Sequence, residues 1–248
     1  MYYYIYDNYL NEVKYKNAIF KIESRLTDLG INGKITRLSV LTTLQKNINE
    51  ELNKDIKTIV VVGNDKTLIQ VINLIPNLEK TIGYLPVTNN SPIAKIMGIP
   101  LFEDACNTLS MRIIKKIDLG KINNLYYFLT DLEMSGDNLN IICDNNYFIN
   151  VEGKNNFIII SNFAFDNDNK KFYGNDGLMK LTIKHIEKKL FKPAKETFSK
   201  FKAKKININS DKSLPILIVD EKKIIKTPIE IKILEKKLNL IVGKNRMI

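Results

Sequence analysis

Two cysteines and one histidine are all that 248 residues supply of the side chains that most often hold metals or act as nucleophiles. Cys106 and Cys143 are too few and too far apart for a disulfide framework or a zinc site. They read as small buried apolar residues, because nothing beside them offers a paired base. The lone His185 excludes a histidine-rich metal site, and its polar, basic surroundings tell against a part in a catalytic triad. It stands in the basic run KHIEKK and is read as exposed. No run of eighteen apolar residues occurs, so no transmembrane helix is expected. The opening MYYYIYDNYLNEVKYK lacks the basic-then-apolar order of a secretion signal. A reduced, cytoplasmic setting follows as the expectation. The glycines required for a Walker A loop or a dinucleotide fingerprint are also missing.

What is present is enough apolar material to fold: 44% of residues are apolar and 26% charged, which argues against wholesale disorder. The net charge of +11 is uneven. Residues 1–179 hold 19 basic and 20 acidic side chains, a net of −1, whereas residues 180–248 hold 19 and 7, a net of +12. Such an excess suits an acidic membrane, nucleic acid or a polyphosphate ligand, or serves solubility alone.

The first hundred residues alternate strand and helix. Tyr2–Tyr6 is a β-prone aromatic run. Ala18, Ile19, Ile22, Leu26 and Leu29 keep helical spacing up to Gly30, and Leu41, Leu44, Ile48 and Leu52 mark a second helix. Ile56–Val62 is a β-branched run of the kind buried on both faces of a parallel sheet. Leu68, Val71, Ile72 and Ile75 form the stripe of the next helix, which Pro76 ends. Ile82–Leu85 is another buried strand, and Ile93–Met97 a short helix closed by Gly98. The fold class is therefore α/β, an open parallel sheet covered by helices. Near residue 105 the pattern changes to short strands punctuated by Asn, Asp and Gly: Met111–Ile117, Leu125–Leu129, Leu139–Cys143, Tyr147–Val151, Phe157–Ser161, Leu178–Ile183, Lys205–Ile208, Ile216–Val219, Ile229–Leu234 and Leu238–Val242. Helices are expected at His185–Leu190 and Ala194–Phe201, on either side of Pro193. Phe191, Phe198 and Phe201 would pack them on the core, which tells against a nucleic-acid stack. A mostly antiparallel second domain, 106–248, thus follows a first one at 1–105.

The sharpest local feature is the junction Gly63-Asn64-Asp65-Lys66-Thr67. A buried strand turns there into a helix whose first amides and dipole favour an anion. Thr67 is placed to cap that helix or to hydrogen-bond a phosphate. Asp65 could cap it, or orient a magnesium-bound phosphate. A second polar turn, Thr88-Asn89-Asn90-Ser91, joins strand to helix on the same sheet edge, with Lys95 beyond it.

In these segments the chain resembles the diacylglycerol kinase catalytic-domain family, which includes bacterial lipid kinases and sphingosine kinases and is distantly related to NAD kinases. The family's G-G-D-G-T motif corresponds to Gly63–Thr67. Its following proline, helix alanine and closing L-G-I-P correspond to Pro86, Ala94 and Met97-Gly98-Ile99-Pro100. Asn175-Asp176-Gly177-Leu178-Met179 matches a D-D-G-x-L motif, and Val219-Asp220-Glu221 a V-D-G-E segment. The resemblance implies a nucleotide-binding domain and a β-rich lipid-handling domain, with the last strands, about 226–248, returning to the first. It implies ATP- and Mg2+-dependent phosphoryl transfer to a lipid hydroxyl, with Gly63, Asn64, Lys66, Thr67, Thr88, Asn89, Asn90 and Ser91 by the nucleotide. Asp65 would organise phosphate and magnesium, Asp176 would have a metal-linked role, and Asp220 or Glu221 would take the proton. The partners implied are a lipid substrate and an anionic membrane surface, met at its inner face. The sequence departs from the family where Asp7-Asn8-Tyr9-Leu10 replaces an N-P-x-x-G loop, where Lys66 replaces a glycine and where the G-T-x-N-D turn is absent. Those departures keep open an alternative: a catalytically lapsed relative that binds a nucleotide, a lipid or a protein.

Overall fold

The computed structural model describes residues 1–38, 48, 55–166, 171–187 and 195–248. The chain divides into two compact units, one of Met1–Ile117 with Lys237–Ile248, the other of Asp118–Lys236. The sequence-based boundary at 105 falls on the first residue of a helix in the first unit.

In the first unit, strands β1 (Tyr2–Tyr6), β2 (Gly33–Arg37), β3 (Thr58–Gly63) and β4 (Thr81–Pro86) lie in the order β2-β1-β3-β4, all parallel. Asn239 and Leu240 from the chain's end add a further parallel pairing beside β4. Every residue of β3 is buried, as its β-branched sequence demands. Helices α1 (Lys16–Asp28), α2 (Asp65–Leu74), α3 (Pro92–Met97) and α4 (Ala105–Met111) cover the sheet. α1 packs with α4 and α2 with α3. The predicted stripe Leu68, Val71, Ile72 and Ile75 is buried. Of the predicted helix marked by Leu41, Leu44, Ile48 and Leu52, only Ile48 lies among the described residues, where it is helical and buried. Strand β2 escaped the sequence reading, because GKITR is short, polar and only partly buried.

The Gly98 stop has a packing reason as well as a conformational one. Its φ is +65°, and a Cβ there would lie 2.4 Å from the Arg246 amide nitrogen. The Gly243 amide bonds the Met97 carbonyl at 2.9 Å. The end of α3 is thus closed by the chain's own C-terminal segment.

The second unit is built almost entirely of strands. They are the end of β5 (Ile114–Ile122), then β6 (Tyr126–Phe128), β7 (Asp131–Ser135), β8 (Leu139–Cys143), β9 (Tyr147–Val151), β10 (Asn156–Ser161), β11 (Ala164–Asp166), β12 (Lys171–Tyr173), β13 (Met179–Glu187), β14 (Lys195–Ala203), β15 (Lys205–Ser210), β16 (Pro215–Ile218), β17 (Lys223–Lys226) and the start of β18 (Ile229–Ile241). One antiparallel sheet runs β14-β13-β10-β7-β16-β17. β18, β15, β8 and β9 pair antiparallel in a second. Alternate residues of both sheets share one core, including Leu132, Ile158, Leu181 and Ile216 from the first and Ile141, Ile206, Ile208 and Ile231 from the second. Each fully buried Ile or Leu contributes about 1.5–3 kcal/mol.

The two helices expected around Pro193 need correction. His185, Ile186 and Glu187 continue strand β13, and Lys195–Ala203 forms strand β14, paired with it residue for residue from Met179↔Ala203 to Glu187↔Lys195. The phenylalanine spacing that suggested a helix is equally compatible with a strand. As a strand, Phe198 is exposed on one face while Phe201 lies half-buried against the core. Phe191 and Pro193 lie outside the described residues. His185 is half-buried rather than exposed, its Nδ1 lying 2.8 Å from Asn156 Oδ1. Ile229–Leu234 and Leu238–Val242, read as two strands, are one continuous β18. Both cysteines are buried and free, and burial pushes the Cys106 thiol up to about 12.

Candidate functional site

Parallel strands place their C-terminal ends on one edge, and loops there are where α/β sheets bind ligands. In the first unit, Asp7 follows β1, Gly63 ends β3 and Val87 follows β4. The Asp7 amide bonds the Val62 carbonyl at 2.9 Å, and the Val87 amide bonds the Gly63 carbonyl at 2.8 Å. Tyr9 donates its hydroxyl to the Val87 carbonyl at 2.6 Å. The loops of this edge are therefore stitched to one another before any ligand is considered.

The cap of α2 is Asn64, not Asp65 or Thr67. Its backbone is extended and its Oδ1 accepts the Thr67 amide at 3.1 Å. The Thr67 hydroxyl instead donates to the Asp7 carboxylate, which the Asn64 amide group also approaches at 3.5 Å. Gly63 leaves room for this approach, since a Cβ on it would meet the Asp7 Cβ at 3.0 Å and press it back by a few tenths of an ångström. A carboxylate of the protein thus lies where the junction favours an anion. The loop carrying Asp7 was legible as a departure from the family's phosphate loop; its partner was not.

Asp65 joins the two polar turns. Its Oδ1 accepts the Tyr84 hydroxyl at 2.8 Å and the Ser91 hydroxyl, and its Oδ2 accepts the Ile93 amide at 3.2 Å. Ser91 in turn caps α3, its Oγ accepting the Ala94 amide at 3.0 Å. Burial, reinforced by the Asp65 charge, pushes the Tyr84 phenol well above its usual range, so it stays a donor. Lys66, Asn89, Asn90 and Lys95 are exposed, while Thr88 is half-buried and bonds the Asn90 carbonyl at 3.2 Å. Gly63, Asn64, Asp65, Lys66, Thr67, Thr88, Asn89, Asn90 and Ser91 all belong to this edge.

In the second unit, Asp220 sits in the turn between β16 and β17 and is buried. Its carboxylate accepts the amides of Leu129 at 2.7 Å and Thr130 at 2.9 Å, and the Thr130 hydroxyl. The adjacent Val219 amide bonds the Asp131 carbonyl at 3.1 Å. Glu221 is buried beside it. This corner brings in Asp131, which the sequence reading missed. Burial pushes the Asp131 carboxyl up to about 6; the nearby charges of Asp220 and Glu133 add to the rise, and a hydrogen bond with Ser161 opposes it. Its Oδ1 is buried without a hydrogen-bond partner. The only sequence signal was alternation in TDLEM, too short to read.

Asp176 lies in a separate turn, moored by a second residue the sequence did not disclose. Buried Asp118 accepts the Gly177 amide at 2.7 Å and the Lys236 amide at 2.7 Å, and its own amide donates to Asn175 Oδ1 at 2.8 Å. Asp176 faces outward, where its Oδ2 is 3.0 Å from the Lys202 ammonium. Among the described residues no three His, Cys, Asp or Glu side chains stand together so as to hold a metal ion. The surroundings of Asp176 therefore do not fit a magnesium ion resident on the protein. A wide cleft of about 870 Å3 opens near Ser135, Phe157, Lys184 and Leu214, at the other end of β7; none of the predicted site residues lines it.

No protein family's sequence profile matches the chain, and no curated protein does. Solved structures do. A diacylglycerol kinase from Bacillus anthracis str. Sterne superposes with a TM-score of 0.77 at 17% identity, covering 98% of this chain and 97% of its own. Two further structures from that organism match at 16% identity, with TM-scores of 0.77 and 0.72 and coverage of 97% or more on both sides. The chain has the diacylglycerol kinase-like fold over nearly its whole length. No helix among the described residues is long and apolar enough to cross a membrane.

Proposed function

We propose that this protein transfers the γ-phosphoryl group of ATP to the hydroxyl of a lipid. The observation that supports the reading is the full-length fold likeness to a diacylglycerol kinase, combined with two polar turns held on one sheet edge by Asp65. In this reading the nucleotide phosphates lie by Gly63, Asn64, Lys66, Thr67 and the turn Thr88–Ser91. Lys66, exposed at the helix start, supplies charge where a glycine would supply only amides. The lipid oxygen attacks the γ-phosphorus, the bond to the β-phosphate oxygen breaks, and the hydroxyl proton passes to the carboxylate of Asp220 or Glu221. Phosphoryl transfer asks mainly for positioning and charge neutralisation. Magnesium enters as the counter-ion of the nucleotide. The protein is cytoplasmic and meets its lipid at the inner membrane face, towards which the +12 charge of residues 180–248 draws it.

One observation favours a second reading, ligand binding without turnover: the Asp7 carboxylate already accepts the Thr67 hydroxyl at the phosphate-favouring junction. The two readings separate in one assay with purified protein, labelled ATP, magnesium and micelles of diacylglycerol with anionic phospholipid. Labelled lipid supports the kinase. Nucleotide binding without labelled lipid supports the second reading. Neither label transfer nor magnesium-dependent nucleotide binding overturns both.

A further inference from the structure

We propose that the Lys202 ammonium is the resident cation of the Asn175-Asp176-Gly177 turn, standing where the sequence resemblance places a divalent ion. The inference concerns the nucleotide-free protein and holds whether or not it turns over a lipid.

The acidic groups near the turn are already committed. Asp118 is 1% exposed and spends both oxygens on the Gly177 and Lys236 amides. Asp176 has its Oδ1 on the Leu178 amide at 3.3 Å and its Oδ2 on Lys202. The position of Lys202 is fixed by strand register, because β14 pairs Lys202 directly opposite Lys180 on β13. Cross-strand partners project from the same face of a sheet. Both ammonium groups lie over the ring of Tyr173, at 5.1 Å for Lys202 and 5.2 Å for Lys180. Glu235, whose carboxylate lies close to Gly177, is paired in turn with the Lys204 ammonium at 2.6 Å, so each carboxylate at the turn already has its own cation or amide donors.

Space gives the same answer. The hollow lined by Ser161, Asn162, Tyr173, Asp176, Lys180 and Lys202 measures about 10 Å3. That is room for roughly one water molecule. Magnesium keeps near-octahedral geometry and usually retains several waters. The buried Asn162 Oδ1, which has no hydrogen-bond partner, can accept from that one water. The pair itself is half-exposed, with side chains 44% and 40% accessible, so its value is the charge it places rather than a large contribution to stability.

The test uses the full chain without nucleotide. Thermal unfolding is followed in EDTA and in 10 mM magnesium chloride at matched ionic strength, and Mn2+ binding is titrated by electron paramagnetic resonance. The wild type is expected to show no magnesium-dependent shift and no tightly bound Mn2+. The Lys202→Met variant, with Asp176 released, is expected to gain a magnesium-dependent rise of about 2–4 °C, the scale of 1 kcal/mol for a chain of this size. A rise in the wild type, or stoichiometric Mn2+ binding to it, overturns the proposal and gives Asp176 and Asn162 to a metal. A folded Lys202→Met variant indifferent to magnesium also overturns it, since the turn then needs no cation. Should that variant not fold, the Mn2+ titration of the wild type decides alone. None of these readouts involves phosphoryl transfer, so the kinase reading can fail without touching them.

Discussion

The Thr67 hydroxyl donates to the Asp7 carboxylate across 60 residues of sequence. The pairing puts a negative charge beside the first turn of α2, where the helix dipole and free amides favour an anion. An incoming phosphate group must share that position with the carboxylate or move it.

Replacing Asp7 by Asn keeps an acceptor for Thr67 and removes the charge. ATP affinity is expected to rise about five- to tenfold, the equivalent of roughly 1–1.4 kcal/mol for one charge near a helix start. Isothermal titration with ATP, with and without magnesium, measures it. Unchanged or weaker binding would show that the nucleotide does not use this junction.

Asp65 is a clamp between two turns, and its loss should register first in stability. The Asp65→Ala change strands the Tyr84 and Ser91 hydroxyls and the Ile93 amide, at a cost of roughly 2–4 kcal/mol. Urea unfolding reports it as a lowered midpoint. A variant as stable as wild type would mean the clamp is not formed in solution.

Asp220 carries the same warning. An Asp220→Ala protein without activity is no proof of a catalytic base, because the Leu129 and Thr130 amides lose their buried acceptor. The expected loss is again roughly 2–4 kcal/mol. Activity of such a variant should be read only against its unfolding curve. If its stability is unchanged while label transfer disappears, the proton-acceptor role gains.

Asp131 predicts a pH dependence with a definite sign. Its folded pKa is raised from 3.8 to about 6, so the native state binds the extra proton. The stability this gives is complete below about pH 4 and is lost as pH rises through 6, to a total of roughly 3 kcal/mol. Asp131→Asn removes that slope, so the variant should be more stable than wild type at pH 7.5. Denaturation midpoints collected from pH 4 to 8 test it, and a wild-type profile that rises between pH 4 and 6 while the variant's stays flat contradicts it.

Much of the local structure around the candidate site was legible because it is set by neighbouring residues. The β-branched run before Gly63, the polar junction after it, the Ser91-Pro92 helix start and the Gly98 stop each carry their instruction within a few residues. The Asn-rich turns of the second unit did the same, and Leu139–Cys143 and Tyr147–Val151 appear with the bounds the alternation gives them. Reading failed where two structures suited one pattern. KETFSKFKA satisfies a helical spacing as well as a strand, and the choice fell to β13, which supplies hydrogen-bond partners along its whole length.

The sequence by itself determined the α/β beginning, the β-rich continuation and the residue types at the two polar turns, because strand burial, helix capping and turn formation act over a few neighbouring positions. Only the tertiary structure decided what those polar groups do. Asp7 found Thr67, Asp65 found Ser91, Asp220 found Thr130 and Asp176 found Lys202. A carboxylate's role follows from the donors and charges that folding brings to it, and those come from distant parts of the chain.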